Sequence, residues 1–189
     1  MKNPLGIYIH IPFCVRKCKY CDFLSAPAGK DVQEKYTTML LKEIDEYGCL
    51  LREREIPTIF FGGGTPSILS GERIGTIIEK IRTLGNVLEN AEISIEANPG
   101  TVTEEKLMQW KKAGINRISF GLQSADNEEL KKLGRIHTWE AFVENYYLAR
   151  TCGFENINVD LMSALPGQTV VSWKKTMEKV TALNPEHIS

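Results

Sequence analysis

The sequence predicts an α/β fold: an incomplete (βα) TIM-type barrel of parallel strands with outer helices. Three observations predict it. Short apolar, β-rich runs alternate with helical patterns along the whole chain, as repeated βα units require. Capping and stop residues fall between them at the right places. The chain has 189 residues and stops just as a sixth strand begins, whereas a barrel of eight units takes about 250 residues. Residues 1–189 are therefore expected to form the N-terminal portion of one core domain, truncated near the sixth strand.

Leu5–Ile11 reads as the first strand, ended by Pro12, with a loop through Lys30. Residues 32–54 read as one helix, because Tyr36, Leu40, Ile44, Tyr47 and Leu51 recur at three- and four-residue steps. Thr58–Phe61 is the second strand, stopped by Gly62-Gly63-Gly64. Ser70 can cap the next helix, whose Ile74, Ile77, Ile78 and Ile81 share a face. Ala91–Glu96 is the third strand, closed by Asn98-Pro99-Gly100. Thr103 caps a helix with Glu104 and Glu105 at the positive end of its dipole, and Gly114 stops it. Ile115–Phe120 is the fourth strand. Asp126 with Glu129 resembles a capping box, and a further helix runs from about Thr138 to Cys152. Asn156–Leu161 is the fifth strand, Thr169–Leu183 a helix, and His187–Ser189 the start of the sixth strand.

Composition is that of an ordinary globular protein, with 42% hydrophobic and 25% charged residues. The formal net charge of -1 gives no footprint for nucleic acid. No apolar stretch reaches transmembrane length, and the N-terminus lacks a signal-peptide cleavage pattern. A cytoplasmic location is expected. Of five cysteines, three crowd between positions 14 and 21, which fits a metal site in a reducing compartment better than disulfides.

Cys14, Cys18 and Cys21 lie on the loop after the first strand. Thiolates are the usual ligands of iron–sulfur clusters, which normally take four. Three local thiolates on a cubic cluster would leave one iron open, as catalytic metal sites keep an open position. Zinc with His10 as a fourth ligand is the rival, and unliganded cysteines the plain alternative. His10 itself reads better as support for the loop. Cys49 and Cys152 read as structural cysteines, since free cysteine is commonly buried. Trp110, Trp139 and Trp173 read as packing residues.

Gly62-Gly63-Gly64-Thr65-Pro66 follows the second strand on the same barrel face, where bare backbone lets a ligand approach closely. It is not a phosphate loop, because no Gly-Lys-Ser/Thr follows. Polar residues mark the other strand ends: Glu96 after strand three, Gln123 after strand four and Asp160 near the end of strand five. Strand C-terminal ends build the active site of βα barrels. Arg135 and His137 lie between helical segments, where a surface charge and a cap are the plain readings.

The Cys-x-x-x-Cys-x-x-Cys spacing resembles the signature of the radical S-adenosylmethionine (SAM) superfamily. The resemblance implies a [4Fe–4S] cluster on Cys14, Cys18 and Cys21 that chelates SAM and cleaves its sulfonium reductively. Tyr8-Ile9-His10-Ile11-Pro12-Phe13-Cys14, the Gly-Gly-Gly-Thr-Pro-Ser run at 62–67 and Ile-Glu-Ala-Asn-Pro at 95–99 resemble the oxygen-independent coproporphyrinogen III oxidase-like family. So do Phe-Gly-Leu-Gln-Ser at 120–124, Arg135, and Asp160 with Leu165-Pro166-Gly167-Gln168. The resemblance implies that Tyr8, Gly63 and Glu96 contact the SAM on the cluster. It implies that Tyr20, Gly64, Thr65, Gln123, Arg135 and Asp160 correspond to positions that hold a second SAM in the oxidase.

One departure matters: the oxidase has a further cysteine two residues past the third ligand, where this chain has Phe23 after Asp22. That pair resembles the haem-chaperone branch, HemW. The resemblance therefore implies haem binding, a reductant such as flavodoxin or ferredoxin, and haem-accepting client proteins. Its alternatives are oxidative decarboxylation of a porphyrinogen in porphyrin biosynthesis, and a methyltransferase of the same branch.

Overall fold

A computed structural model describes residues 3–189. Six strands alternate with helices: β1 Pro4–Ile11, α1 Lys30–Glu46, α2 Gly48–Glu53, β2 Glu55–Gly63, α3 Gly71–Leu84, β3 Asn86–Ala97 and α4 Glu104–Ala113. There follow β4 Arg117–Gln123, α5 Asn127–Leu133, α6 Trp139–Thr151, β5 Asn156–Leu161, α7 Val170–Thr181 and β6 His187–Ile188. All neighbouring strands pair in parallel, in sequence order from β1 to β6. The sheet is not closed, so the expected incomplete barrel is what the chain builds.

Side-chain alternation explains where the core sits. Ile9, Ile11, Ile59, Phe61, Ile93, Ile95, Ile118, Phe120, Ile157 and Val159 belong to one buried apolar cluster with the helices. The intervening positions on the opposite face are Tyr8, His10, Phe60, Ser94, Glu96, Ser119, Asn158 and Asp160. The inner face of a closed βα barrel is filled by branched apolar residues. Here it is largely polar, so it lines a space for a polar ligand.

The helices start where short polar side chains satisfy their first N–H groups. Ser70, Thr103, Thr138 and Thr169 each accept from the backbone three residues on, and Asp126 accepts from Glu128 and Glu129. Gly114 and Gly134 end α4 and α5 in the left-handed region, at φ 95° and 76°. Two expectations are corrected. The helix expected over 32–54 breaks at Tyr47 (φ -85°, ψ 3°). Gly48 is a weak helix former, and the break lets both Ile44 and Leu51 reach the core. Glu129 does not close a box on Asp126; its carboxylate accepts instead from Ser124, Gln168 and Ser172. The reciprocal box is at Thr169 and Ser172.

Among the described residues no helix is long and apolar enough to cross a membrane. Trp110 of α4 is fully buried in the core. Trp110→Ala is expected to cost about 3–5 kcal/mol, as large-to-small aromatic changes in cores do. Urea unfolding would read it as a lower midpoint at unchanged slope.

Candidate functional site

The loop between β1 and α1 is pinned at several points. Cys14 N–H donates to Ala26 O (3.2 Å) and Ala26 N–H to Pro12 O (3.0 Å). Cys21 N–H donates to Cys18 O (3.2 Å), and Lys19 N–H reaches Leu133 O at the end of α5 (3.0 Å). His10 Nε2 donates to Leu24 O (3.1 Å), leaving Nδ1 to accept from the Tyr8 hydroxyl (3.2 Å). Both ring nitrogens are thus engaged, and His10 supports the loop rather than offering a fourth ligand.

The glycines after β2 meet this loop at close range. Gly63 has φ 115°, a conformation that favours glycine. Its N–H donates to Glu96 Oε2 at 3.2 Å. Gly64 N–H donates to Ile11 O (2.9 Å), and a Cβ on Gly64 would stand 2.6 Å from Phe13 O and 2.9 Å from Cys14 Sγ. A side chain at Gly64 would fill the space beside Cys14, and one at Gly63 would meet the His10 ring at 2.7 Å.

These elements enclose a cleft of about 340 Å³ at the C-terminal ends of the strands. Cys14, Cys18 and Cys21 line it together with Tyr20, Gly63, Gly64, Thr65, Glu96, Gln123, Arg135 and Asp160. Residues spread from position 14 to position 160 in sequence thus share one space. Tyr8 does not line it. Tyr8 stands lower on the same face, stacked on Phe60 at 6.0 Å between ring centroids, and borders a separate groove with Tyr36, Leu40 and Tyr47. Burial, then the charge of Glu96, push its phenol pKa up.

Glu96 is half-buried, and burial raises its pKa from 4.5 to about 7; the Gly63 N–H opposes the shift and the charge of Asp160 adds to it. Asp160 is held by Ser119 Oγ (3.0 Å) and Asn158 Nδ2 (2.8 Å), with the Ser189 hydroxyl against it. Gln123 has φ 74°, rare for a side-chain-bearing residue. The β4–β5 register shifts there, and Met162 N–H bonds Gln123 O at 2.9 Å.

Arg135 is not a solvated surface charge. Its Nη1 faces Cys18 Sγ (3.7 Å) and the Tyr20 hydroxyl (3.4 Å); its Nη2 donates to Asn98 Oδ1 (2.6 Å) and to Gly121 O. Nε is buried with no partner. His137 is not a surface cap either. It is buried, its Nε2 donates to Leu122 O (3.3 Å), and burial plus the charge of Arg135 lower its pKa to about 4. Cys49 is exposed rather than buried, while Cys152 is half-buried against the core.

The donor set fits the group that the loop's spacing implies. Three cysteines border a cleft walled by bare glycine backbone, and a buried guanidinium N–H there lacks an acceptor. Among the described residues no three His, Cys, Asp or Glu side chains converge on one point as a single-ion site needs. A multi-iron cluster takes each thiolate on a different iron.

Sequence reasoning passed over Asn98, Ser119 and Asn158. Asn98 was legible as part of a turn and of the Ile-Glu-Ala-Asn-Pro run at 95–99, but with no role of its own. Ser119 and Asn158 carry a readable signal, because β4 and β5 alternate apolar and polar residues where a fully buried parallel strand would read as continuously apolar.

The fold and cleft define a class, and comparison with known proteins agrees with it. The chain matches the radical SAM superfamily over residues 8–180 and belongs to it. Membership implies a [4Fe–4S] cluster and SAM. Within that class, the chain is 43% identical over 187 residues to the "Heme chaperone HemW" of Escherichia coli, covering 98% of this chain and 50% of that protein. It is 38% identical to the HemW of Bacillus subtilis, covering 96% of this chain and 48% of that protein. Among solved structures, coproporphyrinogen III oxidase (HemN) from Escherichia coli superposes with a TM-score of 0.91 at 30% identity, covering 99% of this chain and 44% of that one. The chain thus spans about half the length of the curated relatives it matches, and its likeness to the haem-chaperone branch extends over nearly all of its residues.

Proposed function

We propose that Cys14, Cys18 and Cys21 hold a [4Fe–4S] cluster, and that the protein to which this domain belongs binds haem and hands it to client proteins. With cluster and SAM bound, the pair supplies one-electron reductive cleavage of the sulfonium. The chain's own residues do the placing. Gly63 and Gly64 admit the cofactor close to the backbone, and Glu96 accepts from its ammonium; Tyr8, outside the cleft on the same face, belongs to that set by the family resemblance alone. Tyr20, Gly64, Thr65, Gln123, Arg135 and Asp160 form the wall for a second SAM. Arg16, Lys17 and Lys19 are exposed around the cysteine loop and suit docking of an acidic reductant of the flavodoxin or ferredoxin kind. A cytoplasmic setting keeps the thiols reduced.

The observation that carries haem delivery is Phe23. It stands where the oxidase has its extra cysteine, lines the mouth of the cleft and is 65% exposed. An adjoining cavity of about 370 Å³ supports the same reading. Leu133, Met162, Ala164, Leu165 and Pro166 give it apolar walls, and Lys19 and Lys132 line it beside Glu129, whose carboxylate is taken up by Ser124, Gln168 and Ser172, a combination suited to an apolar ring bearing carboxylates. The test is to titrate the full-length protein with haem and record the Soret band. A stable shifted band at one equivalent is expected; free-haem spectra throughout would overturn the reading.

The second reading is oxidative decarboxylation of a porphyrinogen, favoured by the TM-score of 0.91 to HemN. Anaerobic incubation with coproporphyrinogen, SAM and reductant tests it, and decarboxylated product would replace the carrier reading with this one.

A further inference from the structure

Asn98, just past the end of β3, has its side-chain amide fixed at both ends. Arginine only donates, so the amide oxygen faces Arg135 Nη2 at 2.6 Å and the amide nitrogen donates to Thr65 Oγ1 at 2.9 Å. Beyond them lie two of the cysteines. Thr65 Oγ1 is 3.5 Å from Cys14 Sγ, and Arg135 Nη1 is 3.7 Å from Cys18 Sγ. A threonine hydroxyl has a single proton. With the Asn98 amide occupying a lone pair of Thr65, that proton is left pointing at Cys14. The same amide, through its oxygen, holds the guanidinium whose other nitrogen faces Cys18.

Asn98 is itself locked from behind. Its N–H donates to Ser67 Oγ (3.1 Å), and its carbonyl accepts from Thr101 N–H (3.1 Å) and Thr101 Oγ1 (2.7 Å). Lys106 Nζ ties Ser67 O (2.6 Å) to Thr101 O (3.0 Å). Ser67, Thr65 and Cys14 are all buried, so water does not compete for the Thr65 hydroxyl, while Arg135 and Cys18 are half-buried.

We propose that Asn98 is a positioning residue for electron uptake: through Thr65 and Arg135 it aims one hydrogen-bond donor at each of Cys14 and Cys18, and so raises the reduction potential of a cluster held there. The inference rests on the cluster reading above. A cubic cluster of core charge +2 with three thiolates is formally -1 and becomes -2 when it takes one electron from an external one-electron reductant. No bond forms or breaks in that step. Donors on the ligand sulfurs stabilise the added charge, which makes hydrogen bonding to sulfur one of the levers on cluster potential.

The test is a redox titration of the full-length, anaerobically reconstituted protein, followed by EPR of the reduced cluster, with iron and sulfide assayed on every sample. Thr65→Val removes the hydroxyl at constant volume; Thr65→Ser keeps it. Asn98→Asp keeps an acceptor for Arg135 but also accepts the Thr65 proton, turning it away from Cys14. Thr65→Val is expected to shift the balance about tenfold toward the oxidised cluster, a fall of about 59 mV for a one-electron couple. Thr65→Ser is expected to match the wild type. Asn98→Asp is expected to lower the potential, and by less in the Thr65→Val background, because part of its effect runs through the hydroxyl.

Wild-type potentials in cluster-loaded Thr65→Val and Asn98→Asp would overturn the proposal, as would strict additivity in the double variant. Should Thr65→Val fail to load, Asn98→Asp decides alone. Should both fail, the wild type decides by pulsed EPR in heavy water, where the absence of an exchangeable hydrogen coupled to the reduced cluster overturns it. Absence of any cluster in the wild type would instead remove the reading beneath.

Discussion

Alanine in place of any one of Cys14, Cys18 or Cys21 is expected to strip the protein of nearly all its iron and acid-labile sulfide. Three thiolates are the only local ligands the loop provides, and a cluster already one ligand short of four has none to spare. The loop keeps its backbone hydrogen bonds, Cys14 N–H to Ala26 O and Cys21 N–H to Cys18 O among them, when a thiol is removed, so the fold should survive the change. Circular dichroism at wild-type strength with the brown chromophore missing would show that. Cys49→Ala and Cys152→Ala are the controls, since neither lines the cleft, and both should keep full iron content. Wild-type iron in the three loop variants would remove the cluster assignment.

Glu96 should make SAM binding depend on pH near neutrality. Burial holds its proton to about pH 7, against 4.5 for an ordinary glutamate. A carboxyl with a raised folded-state pKa favours the fold below about 4.5, and that contribution is lost as pH rises through 7. The ammonium of SAM has the opposite preference, because it pairs with the ionised form. Affinity is therefore expected to rise as pH climbs through 7, with protonation of Glu96 competing below it. Glu96→Gln keeps the shape and removes the charge. It is expected to weaken SAM roughly tenfold to a hundredfold, the worth of a hydrogen bond to a charged group, and to flatten the pH profile. Calorimetry in buffers of different ionisation heat reads both affinity and the proton released. A pH-independent affinity in the wild type would remove Glu96 from the ammonium position.

Much of the fold was legible because its signals are local. Ser70, Thr103, Asp126 and Thr138 cap helices that begin one residue later, since a short oxygen-bearing side chain satisfies nearby N–H groups wherever the chain turns into a helix. The break at Tyr47 was not legible, because the apolar spacing runs through it and only packing required the turn. The start of β3 at Asn86 was also missed. Asn86–Asn90 has little apolar character, and pairing of Asn86 with Glu55 and Val87 with Ile56 makes it strand.

The site divides in the same way. Three cysteines in eight positions, a glycine run after a strand and acids at strand ends are covalent facts of the sequence, and they name the chemistry before any fold is known. How close these groups come was decided elsewhere. Taken by itself Arg135 reads as a surface charge because it lies between two helical segments, yet Gly134 turns the chain so that the guanidinium reaches Cys18, 117 positions away. Asn98 reads as a turn residue, yet it joins Thr65 to Arg135. Sequence by itself determined which atoms can bind iron and which backbone can approach a ligand, because those properties belong to single residues. Only the tertiary structure decided which donors face which sulfur, because a hydrogen bond between distant residues exists only once the sheet has brought their strand ends together.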